Sequence, residues 1–133
     1  MARRLGLEVA GVESVDRDVD GVVEMMLDAT QRFDLPLTEE RLFGWQAAFF
    51  PTGRSGLHAI RVGAWRDDAR GPMQVVSGPI GRQRVHFQAP PANRLEAEIS
   101  RFLDWVNGTP NQPPLFRAGL GHLWFVTLHR FDD

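Results

Sequence analysis

The sequence predicts a mainly helical fold carrying one β-hairpin. Apolar residues recur at helical spacing in four separate segments, a glycine- and proline-containing turn joins two short β-prone runs near the middle, and proline or glycine breaks separate the segments. The order helix, helix, hairpin, helix, helix follows, with no internal repeat and no low-complexity tract. A length of 133 residues suits one hydrophobic core better than two, so a single compact unit is expected.

The first helix is expected over residues 15–33. Val15, Val19, Val22, Val23, Met26, Leu27 and Thr30 fall on one side, and Asp16, Asp18, Asp20, Glu24 and Asp28 on the other. The acidic residues near its start suit the helix dipole, and Asp34-Leu35-Pro36 ends it because the residue before proline avoids the helical region. Thr38 then caps a second helix running to about Phe50, which places Leu42, Phe43, Trp45, Ala48 and Phe49 for packing. Pro51-Thr52-Gly53 stops that helix, and residues 51–72 read as an ordered excursion with one extended stretch from Leu57 to Trp65.

Met73-Gln74-Val75-Val76 and Arg84-Val85-His86-Phe87-Gln88 flank Ser77-Gly78-Pro79-Ile80-Gly81, the pattern of a hairpin with a long loop. Two strands alone are marginal, so the hairpin needs helices or a partner to lean on. Pro90-Pro91 closes it, and Asn93 with Glu96 is close to a capping box. Leu95, Ile99, Phe102, Leu103 and Val106 form the apolar stripe of a third helix that stops at Asn107-Gly108. Pro114 fits the first position of a last helix over Leu115 to Leu128, where apolar residues surround most of the circumference. A helix of that kind is expected to be buried.

Composition narrows the function. Hydrophobic residues at 43% and charged residues at 24% describe a folding chain, and a net charge of -2 with scattered arginines offers no footprint for nucleic acid or an anionic membrane. The absence of cysteine excludes disulfides and thiolate metal sites. Met1-Ala2-Arg3-Arg4 is followed by Gly6-Leu7-Glu8 rather than an apolar signal region, and no run approaches the roughly 20 apolar residues of a membrane span. A cytoplasmic location is expected.

Among candidate sites, His122 and His129 share a helix face but sit about 10 Å apart along its axis, too far to hold one small ion. Gly53-Arg54-Ser55-Gly56 lacks the Gly-Lys-(Ser/Thr) ending of a phosphate loop. The four tryptophans read as core or half-buried packing. An exposed strand edge at 73–76 or 84–88 suits an extended peptide, with a structural hairpin that covers the helices as the plainer reading. His129, with Asp132 and Asp133 close behind, offers a base near neutral pH beside oxygen ligands for a hard cation, although taken alone the plainer reading is a helix terminus with solvated aspartates.

His129, Phe131 and Asp133 match the first, third and fifth positions of the His-x-Phe-x-(Asp/Glu)-Gly-Asn-Gly-x-x-Arg signature, so the chain resembles the Fic/Doc family of protein AMP-transferases. Phe33 to Trp45 is similar to the helical region preceding the family's core, Pro72 to Pro91 to its flap hairpin, and Gly121-His122-Leu123-Trp124-Phe125 to the helix entering the signature. The resemblance implies a Fic-like fold truncated inside the signature, with a helical leader over 1–50 and a partial core over 51–133. It implies His129 as the catalytic base, Phe131 as a buried anchor, Asp133 as a magnesium ligand, and Met73, Val75, Val76, Val85 and Phe87 as the flap that docks a target's backbone. The implied reaction is transfer of AMP from ATP to a protein Ser, Thr or Tyr hydroxyl, with ATP and Mg2+ as cofactors and a protein target as partner.

Two departures stand out. Arg130 occupies a position where the family usually has Pro, and Gly-Asn-Gly-x-x-Arg, which supplies the phosphate cradle, is not in the sequence. The chain alone is therefore expected to be inactive, with binding of a partner through the hairpin edge and last helix as the alternative role. Self-association of that apolar helix into a homodimer is also expected.

Overall fold

Four helices form in the computed structural model, which describes residues 17–55 and 57–131. Val15, Asp16, Gly56, Asp132 and Asp133 lie outside the described residues. The chain divides into two compact units, one running to Ala64 and one beginning at Trp65.

In the first unit, α1 (Arg17–Gln31) packs on α2 (Glu39–Phe49), with Val23 and Leu42 buried between them. The two helices approach closely at Gly21, where an added Cβ would collide with the carbonyl of Ala48. Thr38 caps α2 as its residue type dictates, its hydroxyl accepting from the Arg41 amide at 3.3 Å. Arg41 then closes the turn between the helices. Its Nε and Nη2 donate to the Asp28 carboxylate at 3.1 and 2.9 Å, and its Nη1 donates to the carbonyls of Leu35 and Pro36. Trp45 Nε1 adds a third donor to Asp28 at 2.9 Å.

The buried Gln46 side chain donates to the Arg61 carbonyl and accepts from the Gly63 amide, both at 2.9 Å, fixing the excursion that follows. Within that excursion the expected extended stretch is much shorter. Only His58–Ala59 (β2) pairs, with Arg54–Ser55 (β1); Ile60 N–H still donates to the Gly53 carbonyl, but beyond it the Arg61 carbonyl and the Gly63 amide bond to Gln46 rather than to a strand.

The second unit holds the expected hairpin, β3 (Gln74–Ser77) with β4 (Arg84–Gln88), and the helices α3 (Ala92–Asn107) and α4 (Pro114–Leu128). Val75 pairs with Phe87 and Val76 with Val85, so His86 is the extra residue of a bulge. Leu95, Ile99 and Phe102 form the buried stripe of α3 and share the core with Ala89 and Leu128. Aromatic rings join α3 to α4, with Phe102 edge-on to Trp124 at 5.7 Å and Trp105 tilted against Trp124 at 5.8 Å. Arg117 of α4 stacks over Trp105 and donates to the carbonyls of Trp105, Val106 and Gly108, which places a cation on the C-terminal end of α3.

Two sequence expectations are corrected here. The first residue of α3 is not capped by Asn93 and Glu96. Its N-cap is Pro91, which has no capping side chain, and Asp68 from a distant loop accepts from the Ala92 amide at 2.7 Å. Nor is α4 buried all round: Leu128 is its one fully buried residue, while Leu115, Phe116, Leu120, Leu123 and Val126 are exposed. One helical neighbour in this unit covers only one side of a helix.

Candidate active site

The C-terminal end of α4 delivers His129 in a left-handed conformation, φ 41° and ψ 54°. A residue with a Cβ is uncommon there, and such conformations persist where the surroundings over-determine them. The surroundings are supplied by Arg66. Its side chain is 1% exposed, and all three nitrogens are used: Nε donates to the His129 carbonyl, Nη2 to the Pro90 carbonyl, and Nη1 to Asp68 at 2.6 Å. The Arg66 amide also donates to the Arg130 carbonyl at 2.8 Å. Asp68 uses its other oxygen on the first turn of α3, so one arginine fastens the end of the hairpin, the start of α3 and the backbone of His129 together.

Arg130 follows, with a residue exposure of 2%. Its guanidinium stacks on Phe125 and lies 5.3 Å from the Phe131 ring and 6.0 Å from that of Phe102, and its Nη1 donates to the Phe125 carbonyl at 2.7 Å. Burial pushes its pKa down to about 9. Cation–π attraction contributes about 0.5–2 kcal/mol, whereas taking an ion out of water costs several, so these rings alone do not offset the burial.

Phe131, the implied anchor, is half-buried, its ring 5.2 Å from that of Trp65. Asp133, the implied metal ligand, lies outside the described residues. In the flap, Val75, Val76 and Val85 are exposed while Met73 and Phe87 are half-buried; Met73 continues the ladder through its carbonyl, which accepts from Ala89 at 2.9 Å. The structure thus links the flap to His129 through Arg66, while His122 stands exposed on α4. Sequence reasoning missed Arg66 and Asp68, since an arginine two residues before an aspartate in a loop carries no periodic signal; only burial reveals them.

The described residues do not by themselves fit ATP and magnesium. Among them no group of three or more His, Cys, Asp or Glu side chains can hold a metal ion. The groove beside α4, about 420 Å³, is lined by Trp105, Leu120, Leu123, Trp124 and Thr127, which offer no cation to a phosphate. Among the described residues no helix is long and apolar enough to cross a membrane.

A mainly helical chain with an antiparallel hairpin matches a Fic-like fold. The chain is similar to the crystal structure of a Fic family protein from Desulfovibrio desulfuricans, with a TM-score of 0.58 and 25% sequence identity. The match covers 99% of this chain and 36% of that protein, so the chain spans about a third of the solved structure's length. No protein-family model matches the sequence, and no curated protein does.

Proposed function

We propose that this chain forms the leader, flap and entering helix of a Fic-type unit that transfers AMP to protein hydroxyls. The observation that supports the reading is the Arg66 link, one guanidinium that donates to the carbonyls of both His129 and Pro90, the latter just past the hairpin. A flap that lines up a target's backbone and a base fixed beside it are the two positional requirements for deprotonating a target hydroxyl. His129 takes the hydroxyl proton in this reading, and Phe131 anchors the segment that follows. Phosphates and magnesium require groups beyond those described, in keeping with a sequence that contains no Gly-Asn-Gly-x-x-Arg.

The chain alone therefore binds ATP-magnesium weakly or not at all in titration calorimetry, and micromolar affinity would overturn this. Extension with a Gly-Asn-Gly-x-x-Arg segment and its helix is expected to give labelling of target proteins from α-labelled ATP. His129→Ala then abolishes labelling while binding persists; equal labelling by that variant removes His129 as the base.

A second reading is favoured by the exposed Val75, Val76 and Val85. In it the hairpin edge takes a partner peptide as an added strand, and the apolar face of α4 pairs with a second copy.

A further inference from the structure

Two arginines in the second unit are buried to the same degree, at 3% exposure for Arg66 and 2% for Arg130, yet their surroundings differ in kind. Arg66 faces a carboxylate and two carbonyls, and each of its nitrogens has an acceptor. Arg130 has a single acceptor, the Phe125 carbonyl on Nη1, while its Nε and Nη2 are buried without a hydrogen-bond partner among the described residues. Those two nitrogens are the side-on edge of the guanidinium, whose parallel N–H bonds match the two oxygens of a carboxylate or phosphate. Beyond the Phe125 carbonyl, the groups near the guanidinium include the rings of Phe102, Phe125 and Phe131, all within 6.0 Å of its central carbon.

A buried cation loses its hydration, and aromatic faces return only part of that loss. Low polarity around the fork also strengthens any charge-assisted hydrogen bond made to it. We propose that Arg130 is an oxoanion receptor, its Nε and Nη2 gripping one carboxylate or phosphoryl group inside a cage of three phenyl rings. An anion reaches the fork only if one of the rings shifts, and the outermost in the chain is Phe131, which packs on Trp65 at 5.2 Å. It is half-buried, whereas Phe102 is fixed in the core. The chemistry recognised is a planar pair of anionic oxygens, from a phosphate ester or from a carboxylate of a peptide. The anion contacts use the side chain of Arg130 and not His129, while Phe131 is shared with the AMP-transfer reading, where it is the anchor.

The test is the Arg130 Nε–H resonance in the whole chain labelled with 15N-arginine, assigned by its disappearance in Arg130→Lys. Inorganic phosphate and acetate are titrated separately against sodium chloride at equal ionic strength. A saturable shift with phosphate alone assigns a phosphoryl ligand, and one with acetate assigns a carboxylate. A response to both marks a general oxoanion receptor. Movement no greater than that given by chloride overturns the proposal.

Urea unfolding supplies a second readout that does not depend on any variant folding: phosphate or acetate raises the midpoint of the unsubstituted chain above that in chloride, and equal midpoints count against the site. Where the variants fold, Arg130→Lys keeps the charge without the fork and binds roughly tenfold more weakly. Arg130→Met fills the cage without charge and loses the anion response; an unchanged response in Arg130→Met places the anion elsewhere and overturns the assignment.

Discussion

Arg66 and Asp28 show how single side chains set conformation in each unit. Arg66→Met removes every acceptor contact made by that guanidinium and leaves Asp68, 30% exposed, to be hydrated by water. Breaking a buried pair costs about 3–5 kcal/mol, and the partial exposure of Asp68 places the expected loss near the lower end, about 3. Urea unfolding measures it, and the three-bond amide-to-Hα coupling of His129 reports whether its left-handed φ relaxes. A loss below about 1 kcal/mol with an unchanged coupling would show that Arg66 is dispensable for that conformation. Asp28 makes a pH-dependent contribution. Hydrogen bonds from Arg41, then Trp45, hold its pKa below the usual 3.8. Between the folded value and 3.8 the unfolded chain binds more protons, so this stabilisation is present above 3.8 and is lost as pH falls through the folded pKa. Asp28→Asn is expected to lower stability at pH 7 and to flatten the acid limb of stability against pH below 3.8; parallel acid limbs in the two proteins would remove Asp28 from that role.

The pairing of α1 and α2 depends on a glycine that helix propensity disfavours. Gly21→Ala gains up to about 1 kcal/mol in helix propensity, but the new methyl meets the Ala48 carbonyl, a backbone atom that cannot rotate aside. Overpacking of this kind costs about 1–3 kcal/mol and occasionally more, so the substitution is expected to destabilise the first unit. A higher thermal midpoint for Gly21→Ala would mean the helices separate without cost. The hairpin illustrates the opposite case. Its two strands and long loop were legible from the β-prone runs on either side of Gly78 and Gly81, though Ser77, expected in the turn, pairs with Arg84, and its bulge at His86 depends on the pairing register and so was not legible.

At the scale of the whole molecule, the exposed apolar residues of α4 are the ground for a prediction of self-association. Leu123 is 58% exposed and borders the groove formed with Trp105 and Trp124. Burying such a side chain contributes roughly 1.5–3 kcal/mol, so several together are enough to support a two-fold contact. Sedimentation equilibrium is expected to show a dimer at micromolar concentration. Leu123→Glu, at an exposed position outside the core, is expected to shift it to monomer without unfolding; a monomer before substitution at those concentrations would exclude this face as a dimer contact.

Spacing of apolar residues by itself determined the four helices, the hairpin between them and the buried stripe Leu95, Ile99 and Phe102, because burial on one side repeats with the period of the element. The sequence also marked His129 as a candidate base, through its spacing to Phe131 and Asp133. Tertiary structure alone decided that α3 is capped by Asp68, that α4 keeps an exposed face, and that Arg66 and Arg130 are buried with unlike surroundings. Each of these depends on a group many residues away or on which sides of an element find a neighbour, and no local period encodes either. An arginine in a loop and an arginine at a helix end read as solvent-facing charges until the fold brings carbonyls, a carboxylate or aromatic rings around them.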